Sequence, residues 1–222
     1  MIVSVEELTV TCVLFSWIIF AVGFLTKKLY EAMKAKGFKH NVAVYYNRKL
    51  IHMSTGGFVA LVTPFVFKTP LLPLVFALLL AVLTYIPHKT GKLMYWFQTE
   101  ENMYEVSFCI MWGVTVTFGW LISGGDFWFG VLPVLFMSFG DGITGVVRNA
   151  MFKRRTKSWW GNLVMALFSI LIGTTLGLPG VLAGCVASLV EHFEFPPIDD
   201  NVTVPLSSFI VLILAKFCVP WL

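Results

Sequence analysis

The chain has 222 residues, 58% of them hydrophobic and 13% charged, with a net charge of +4 and a mean hydropathy of +0.83. Soluble domains run at roughly 45–50% apolar and about 25% charged residues, so a soluble enzyme, a disordered chain and a disulfide scaffold are all excluded. The composition predicts an all-α polytopic membrane protein with about eight transmembrane helices of roughly 17–25 residues and no separate extramembrane domain.

In chain order, apolar runs between breakers predict spans at 8–26, 51–67, 71–86, 106–122, 127–139, 163–178, 180–190 and 204–222. The third follows Lys68-Thr69-Pro70, and the fifth follows Ser123-Gly124-Gly125-Asp126. The fifth and seventh are short for a bilayer crossing. They are expected to continue into the polar residues beyond them, or to be tilted or broken. The first span opens on Glu6-Glu7 rather than a basic stretch, and no small-residue cleavage motif follows, so it reads as a retained helix and not a signal peptide. Cys12, Cys109, Cys185 and Cys218 stand singly in apolar runs, which reads as small buried hydrophobes and implies neither a disulfide nor a zinc site.

The basic residues fix an orientation. Of 16 Lys and Arg, seven lie between the first two spans (Lys27, Lys28, Lys34, Lys36, Lys39, Arg48, Lys49) and five after the fifth (Arg148, Lys153, Arg154, Arg155, Lys157). Short basic loops stay in the cytoplasm. Eight spans then put 27–50, 87–105, 140–162 and 191–203 inside, and the termini with the short connections near Lys68, Gly124 and Pro179 outside. Nearly every polar residue falls on one face. A transporter would instead place polar groups at mid-span, on broken helices.

The densest polar segment runs from Ser138 to Arg148. On a helix, Asp141, Thr144, Gly145 and Arg148 fall at i, i+3, i+4 and i+7 and form one stripe. It leads into Lys153-Arg154-Arg155-Thr156-Lys157-Ser158-Trp159-Trp160-Gly161-Asn162. An acid able to hold Mg²⁺, followed by cations and a small-residue turn, suits a nucleoside triphosphate. A topology signal with a glycine packing motif would look the same. The loop carrying Glu191, Glu194, Asp199, Asp200 and Asn201 folds around Pro196-Pro197 and reads as a metal or base cluster complementary to Asp141, or as a solvated acidic loop. Arg48 and His52 share a helix face at i, i+4 and could bind phosphate or shuttle a proton, although an interfacial His is as plain a reading. The loop with His88, Lys89, Lys92, Glu100, Glu101 and Glu105 is mixed in sign and reads as solvated.

With these residues in place, the sequence resembles the CTP-dependent membrane lipid-alcohol kinases, the family of dolichol, polyprenol and phytol kinases and a diacylglycerol kinase of the same type. Arg48-Lys49-Leu50-Ile51-His52 is similar to its R-K-x-x-H. Gly140-Asp141-Gly142-Ile143 and Lys157-Ser158-Trp159-Trp160-Gly161 are similar to its G-D-x-x-A stretch and K-S-x-E-G turn. Glu191 with Asp199-Asp200-Asn201-Val202-Thr203-Val204-Pro205 is similar to its late Glu and D-N-x-x-x-P. Thr144, Arg148, Trp160 and Asn162 depart from the pattern, and the missing acid at Trp160 shifts weight onto Asp141, Glu191 and Asp200.

The resemblance implies transfer of the γ-phosphoryl of CTP to a long-chain isoprenoid alcohol drawn from the bilayer, with Mg²⁺ as cofactor. In that reading Asp141, Glu191 and Asp200 are catalytic, and Asp141, Asp199 and Asp200 hold metal. Arg48, His52, Gly145, Arg148, Lys153, Lys157, Ser158, Gly161 and Asn201 bind nucleotide. The lipid tail lies in an apolar groove between Phe-rich spans. A CTP-dependent diacylglycerol kinase, a CDP-lipid-forming cytidylyltransferase and a small transporter or scaffold stay open as alternatives. No transit-peptide pattern is present, so a prokaryotic plasma membrane with a cytoplasmic active face is expected over endoplasmic reticulum or plastid. Membrane lipids are partners, since the first basic loop could attract anionic headgroups at about 1 kcal/mol per cation, and no nucleic-acid partner is expected.

Overall fold

The structure, a computed structural model, describes residues 3–152, 158–193 and 198–218, so Lys153, Lys157 and the turn expected at Pro196-Pro197 lie outside the described residues. Among the described residues it is helical apart from turns, bends and isolated bridges such as that between Thr99 and Asn102. Among the described residues, seven continuous helical stretches are long and apolar enough to cross a membrane. One of them, Trp159–His192, reverses direction within itself, so the chain makes eight legs. We label them α1 (Val5–Ala35), α2 (His40–Val66), α3 (Leu71–Thr90), α4 (Tyr104–Ser123), α5 (Trp128–Phe152), α6 (Trp159–Gly173), α7 (Gly177–His192) and α8 (Asp200–Cys218).

The α6–α7 reversal is a glycine device. A 3₁₀ turn at Thr174–Leu176 leads to Gly177, whose φ of +63° an L side chain rarely adopts. The two arms return side by side. Gly173 and Gly180 lie against each other, and a Cβ on either would run into the other's carbonyl. At the far end, Asn162 Nδ2 donates to Ser188 O (2.6 Å) and Ser188 Oγ to Asn162 O (2.8 Å). Lipid tails are as apolar as leucine, so helices in a bilayer associate by such close packing rather than by hydrophobic exclusion. The α4–α5 contact uses the same means, with Gly119 seated on the Gly130 backbone.

Polar ties set the other neighbours. Ser4 and Glu7 form a capping box at the start of α1, and Glu7 Oε1 also accepts from the Lys68 amide just past α2 (2.9 Å). Trp17 Nε1 donates to Ser54 O (2.9 Å) and Asn47 Nδ2 to Thr26 O (2.8 Å), so α1 and α2 run antiparallel. Asn201 Nδ2 donates to Tyr104 O (2.9 Å) and Lys216 reaches Ser123 O (3.4 Å), so α8 runs parallel to α4. Several buried hydroxyls inside the spans turn onto their own helices: Thr11, Thr63 and Ser208 each donate to the carbonyl four residues back.

The core surrounds α5. Of its membrane window 78% is buried, against 17–33% for the other six stretches, which makes it the central helix. Val131, Leu132, Val134, Leu135, Phe136 and Met137 are wholly enclosed.

The expected loops are shorter than the sequence suggested. The predicted 27–50 loop is mostly helix, since α1 continues to Ala35 and α2 starts at His40, with the turn at 36–39 and Gly37 at φ +83°. The predicted 140–162 loop is also helical as far as Phe152. Charged residues can extend a helix past the hydrocarbon edge, where a hydropathy pattern no longer registers it. The short fifth span thus continues into the polar motif beyond it. The seventh gains three residues at its start and two at its end.

Candidate functional site

Two widened turns bring the polar ends of α2 and α5 together. Each is a π-turn, His52–Gly57 in α2 and Phe136–Gly140 in α5, and such turns rotate the residues that follow and occur often at functional sites. The second delivers Asp141 to the face of α5 that looks at α2. Lys49 Nζ lies 2.5 Å from Asp141 Oδ2, with Asp141 buried and the Lys49 side chain 12% exposed. His52, one turn on, is stacked on Phe108 with ring centroids 4.0 Å apart. Its Nδ1 is 4.0 Å from Asp141 Oδ2 and has no hydrogen-bond partner among the described residues.

The predicted stripe is real. Asp141, Thr144, Gly145 and Arg148 are all buried along one face of α5. Gly145 leaves the space that the Tyr45 hydroxyl and the Lys49 side chain occupy, and Gly142 does the same for Met53. Arg148 reaches across to α7 and makes a two-point pair with Glu191, Nη1 to Oε1 at 2.7 Å and Nη2 to Oε2 at 2.9 Å. Its Nη2 also donates to Asn162 Oδ1 (2.6 Å) and its Nε to Ser158 O (3.2 Å). Gly161 is what admits this side chain, since a Cβ there would collide with Arg148 Nε. Asn162 Nδ2 donates to Glu191 Oε2 (3.2 Å), and His192 Nδ1 lies 2.9 Å from Asn162 Oδ1.

Three carboxylates converge. One oxygen each from Asp141, Glu191 and Asp200 lie within 4.8 Å of one another, and these could hold a cation. Asp199, expected in that set, is outside it. Ser107 Oγ donates to its Oδ2 (2.6 Å), and burial raises its carboxyl above the usual range while the Ser107 bond opposes the shift. Arg48 turns the other way, onto the connection between α3 and α4, donating to Phe97 O (2.7 Å) and Asn102 Oδ1 (2.8 Å) and lying 3.6 Å from Glu105. Asn201 anchors α8 to Tyr104. Ser158 precedes α6, and its Oγ is buried.

A cavity of about 730 Å³ joins these groups. Its polar end is lined by Tyr45, Lys49, His52, Asp141, Arg148 and Asp200. Much of the remaining lining is apolar and includes Leu14, Phe15 and Ile18 of α1 and Leu72, Phe76 and Leu80 of α3, with further walls from α2 and α4. Of the expected site residues, Arg48, His52, Asp141, Arg148, Glu191, Asp199, Asp200 and Asn201 line it, while Gly145 and Gly161 make room for side chains that do.

Sequence reasoning passed over Lys49, Tyr45 and Asn162. Lys49 stands at i, i+3 from His52, a spacing as good as that of Arg48, and was the available signal. Asn162 takes part as the link between Arg148 and Glu191.

The fold and the site together define an all-α polytopic membrane protein with a buried ionic cluster at one end of its bundle, open to an apolar cavity. No family model matches the chain, and no significant match to it was found among curated proteins or among solved structures.

Proposed function

We propose that the protein transfers the γ-phosphoryl group of CTP to the hydroxyl of a membrane isoprenoid alcohol, with Mg²⁺ as cofactor, at the inner face of a prokaryotic plasma membrane. The observation that carries this reading is one cavity with two characters, three carboxylates and buried cations at one end and an apolar channel at the other. A polar donor and a greasy acceptor would meet where those ends join. The choice of CTP comes from the resemblance of the three sequence blocks.

The donor set suits the cofactor. Asp141, Glu191 and Asp200 offer hard oxygen ligands, and Mg²⁺ is commonly held by one or two carboxylates together with substrate phosphates. Bound there, the ion would supply Lewis-acid neutralisation of charge on the transferred phosphoryl group. The chain's own groups do the rest, because phosphoryl transfer asks mainly for positioning and charge neutralisation. Lys49 presents an ammonium at the cluster. Arg148, braced by Glu191 and Asn162, holds Glu191 in place and adds a second positive charge. The alcohol oxygen bonds to the γ-phosphorus as the bond to the β-phosphate oxygen breaks. The hydroxyl proton passes to a carboxylate of the cluster, and CDP leaves.

The test follows the label. Protein in liposomes is given CTP labelled at the α- or the γ-phosphate, with Mg²⁺ and lipid alcohols. Label on lipid from the γ-position alone supports the kinase, whereas label from the α-position makes the protein a cytidylyltransferase. Nucleotide left intact while a solute crosses the membrane would make it a transporter.

A further inference from the structure

Among the described residues, two cations pair with the converging carboxylates, and they are held in different ways. Arg148 is braced on three sides, by Glu191, by Asn162 and by the Ser158 carbonyl. Lys49 makes one hydrogen bond among the described residues, to Asp141 Oδ2, and its side chain lines the cavity. Arginine is a preorganised fork, whereas lysine is a point charge on a flexible four-carbon stem. Lys49 is therefore the cation that can yield. Its place is also made for it. A Cβ on Gly145 would come within 2.7 Å of the Lys49 Cε, and the ammonium lies 5.4 Å from the centre of the Tyr45 ring.

Resting on the reading of this site as one for a metal ion and a triphosphate, we propose that Lys49 is a built-in competitor of the divalent ion. Its ammonium holds Asp141 against a free ion, and it gives the carboxylate up when a triphosphate accepts the ammonium instead. A free divalent ion entering among Asp141, Glu191 and Asp200 meets like charge at close range from Lys49. Phosphate oxygens remove that penalty, because they accept from the ammonium and leave the carboxylates to the ion. The site thus takes metal and triphosphate together rather than metal alone, and the coupling is reciprocal.

His52 is an independent sign that a ligand belongs here. Its side chain is 9% exposed, and its Nδ1 lines the cavity 4.0 Å from Asp141 Oδ2 with no hydrogen-bond partner among the described residues. Buried polar atoms are as a rule paired, so a group bound between this nitrogen and the carboxylates would satisfy it.

The test uses the full chain in detergent without lipid alcohol. Mn²⁺ binding without nucleotide is read from the paramagnetic resonance of the free ion. Binding of CTP and of inorganic triphosphate is read by calorimetry in EDTA. Lys49→Met should tighten Mn²⁺ by at least about tenfold and weaken both triphosphates by about tenfold, the loss of one charge-assisted hydrogen bond. Lys49→Gln, which still donates to Asp141, should shift both in the same directions, and it decides the matter if the first variant does not fold. Adding Asp141→Asn to Lys49→Met should abolish the gain in Mn²⁺. A lysine that merely braced the carboxylates would lose affinity for ion and triphosphate alike. Mn²⁺ affinity unchanged or lowered in the folded variants, triphosphate affinity unchanged, or an Mn²⁺ gain that survives Asp141→Asn overturns the proposal. The opposite shifts seen with inorganic triphosphate, and no binding of CTP, would instead remove the proposed phosphoryl donor and leave the role of Lys49 standing.

Discussion

Arg148 and Glu191 show what single residues contribute. Both are almost fully buried, and their two-point pair is completed by Asn162 and the Ser158 carbonyl. Removing one partner leaves an uncompensated buried charge, so Arg148→Ala should cost about 3–5 kcal/mol, whereas the double variant Arg148→Met with Glu191→Leu should recover most of it. Thermal melting in detergent reads both, and an unchanged melting point in Arg148→Ala would contradict the pairing. Asp141→Asn keeps an oxygen to accept from Lys49, so the fold and membrane insertion should survive while phosphoryl transfer is lost. Wild-type turnover in that variant would take Asp141 out of the chemistry. The stripe from Asp141 to Arg148 was legible because it lies within two turns of one helix. The Lys49–Asp141 pair joins residues 92 apart and the Arg148–Glu191 pair residues 43 apart, separations that local spacing does not encode.

Helices account for most of what was read and most of what was missed. The apolar runs located eight legs, because a run of that length in lipid has few other ways to satisfy its backbone. They did not locate the helix ends, since Lys27 to Ala35 and Asp141 to Phe152 extend helices with residues that carry no hydropathy signal. Nor did they show the π-turns at His52 and Phe136, which aim the site. The α6–α7 hairpin invites its own test. Gly173→Leu would push a side chain into the Gly180 carbonyl and should destabilise the protein by roughly 1–3 kcal/mol. A melt equal to wild type would mean that the arms do not pack this closely.

On the scale of the whole molecule, the connections at 36–39 and 91–103 share an end with the carboxylate cluster, while Lys68 and Gly124 lie at the opposite end. The basic loops predict that the cluster faces the cytoplasm. With the native cysteines replaced, a cysteine at Lys36 or Gly91 should react with an impermeant reagent only from inside, and one at Lys68 or Gly124 only from outside. The reverse pattern would place the site on the wrong side for cytosolic CTP.

The central claim is that phosphate moves from CTP to a lipid alcohol at this cluster. The most direct measurement incubates purified protein with Mg²⁺ and γ-labelled CTP or ATP, offering geranylgeraniol, phytol, a long polyprenol and diacylglycerol, with Asp141→Asn alongside. The account predicts label from CTP on an isoprenoid alcohol and none in the variant. Folded protein that labels no lipid from either nucleotide, or a variant as active as wild type, would contradict it.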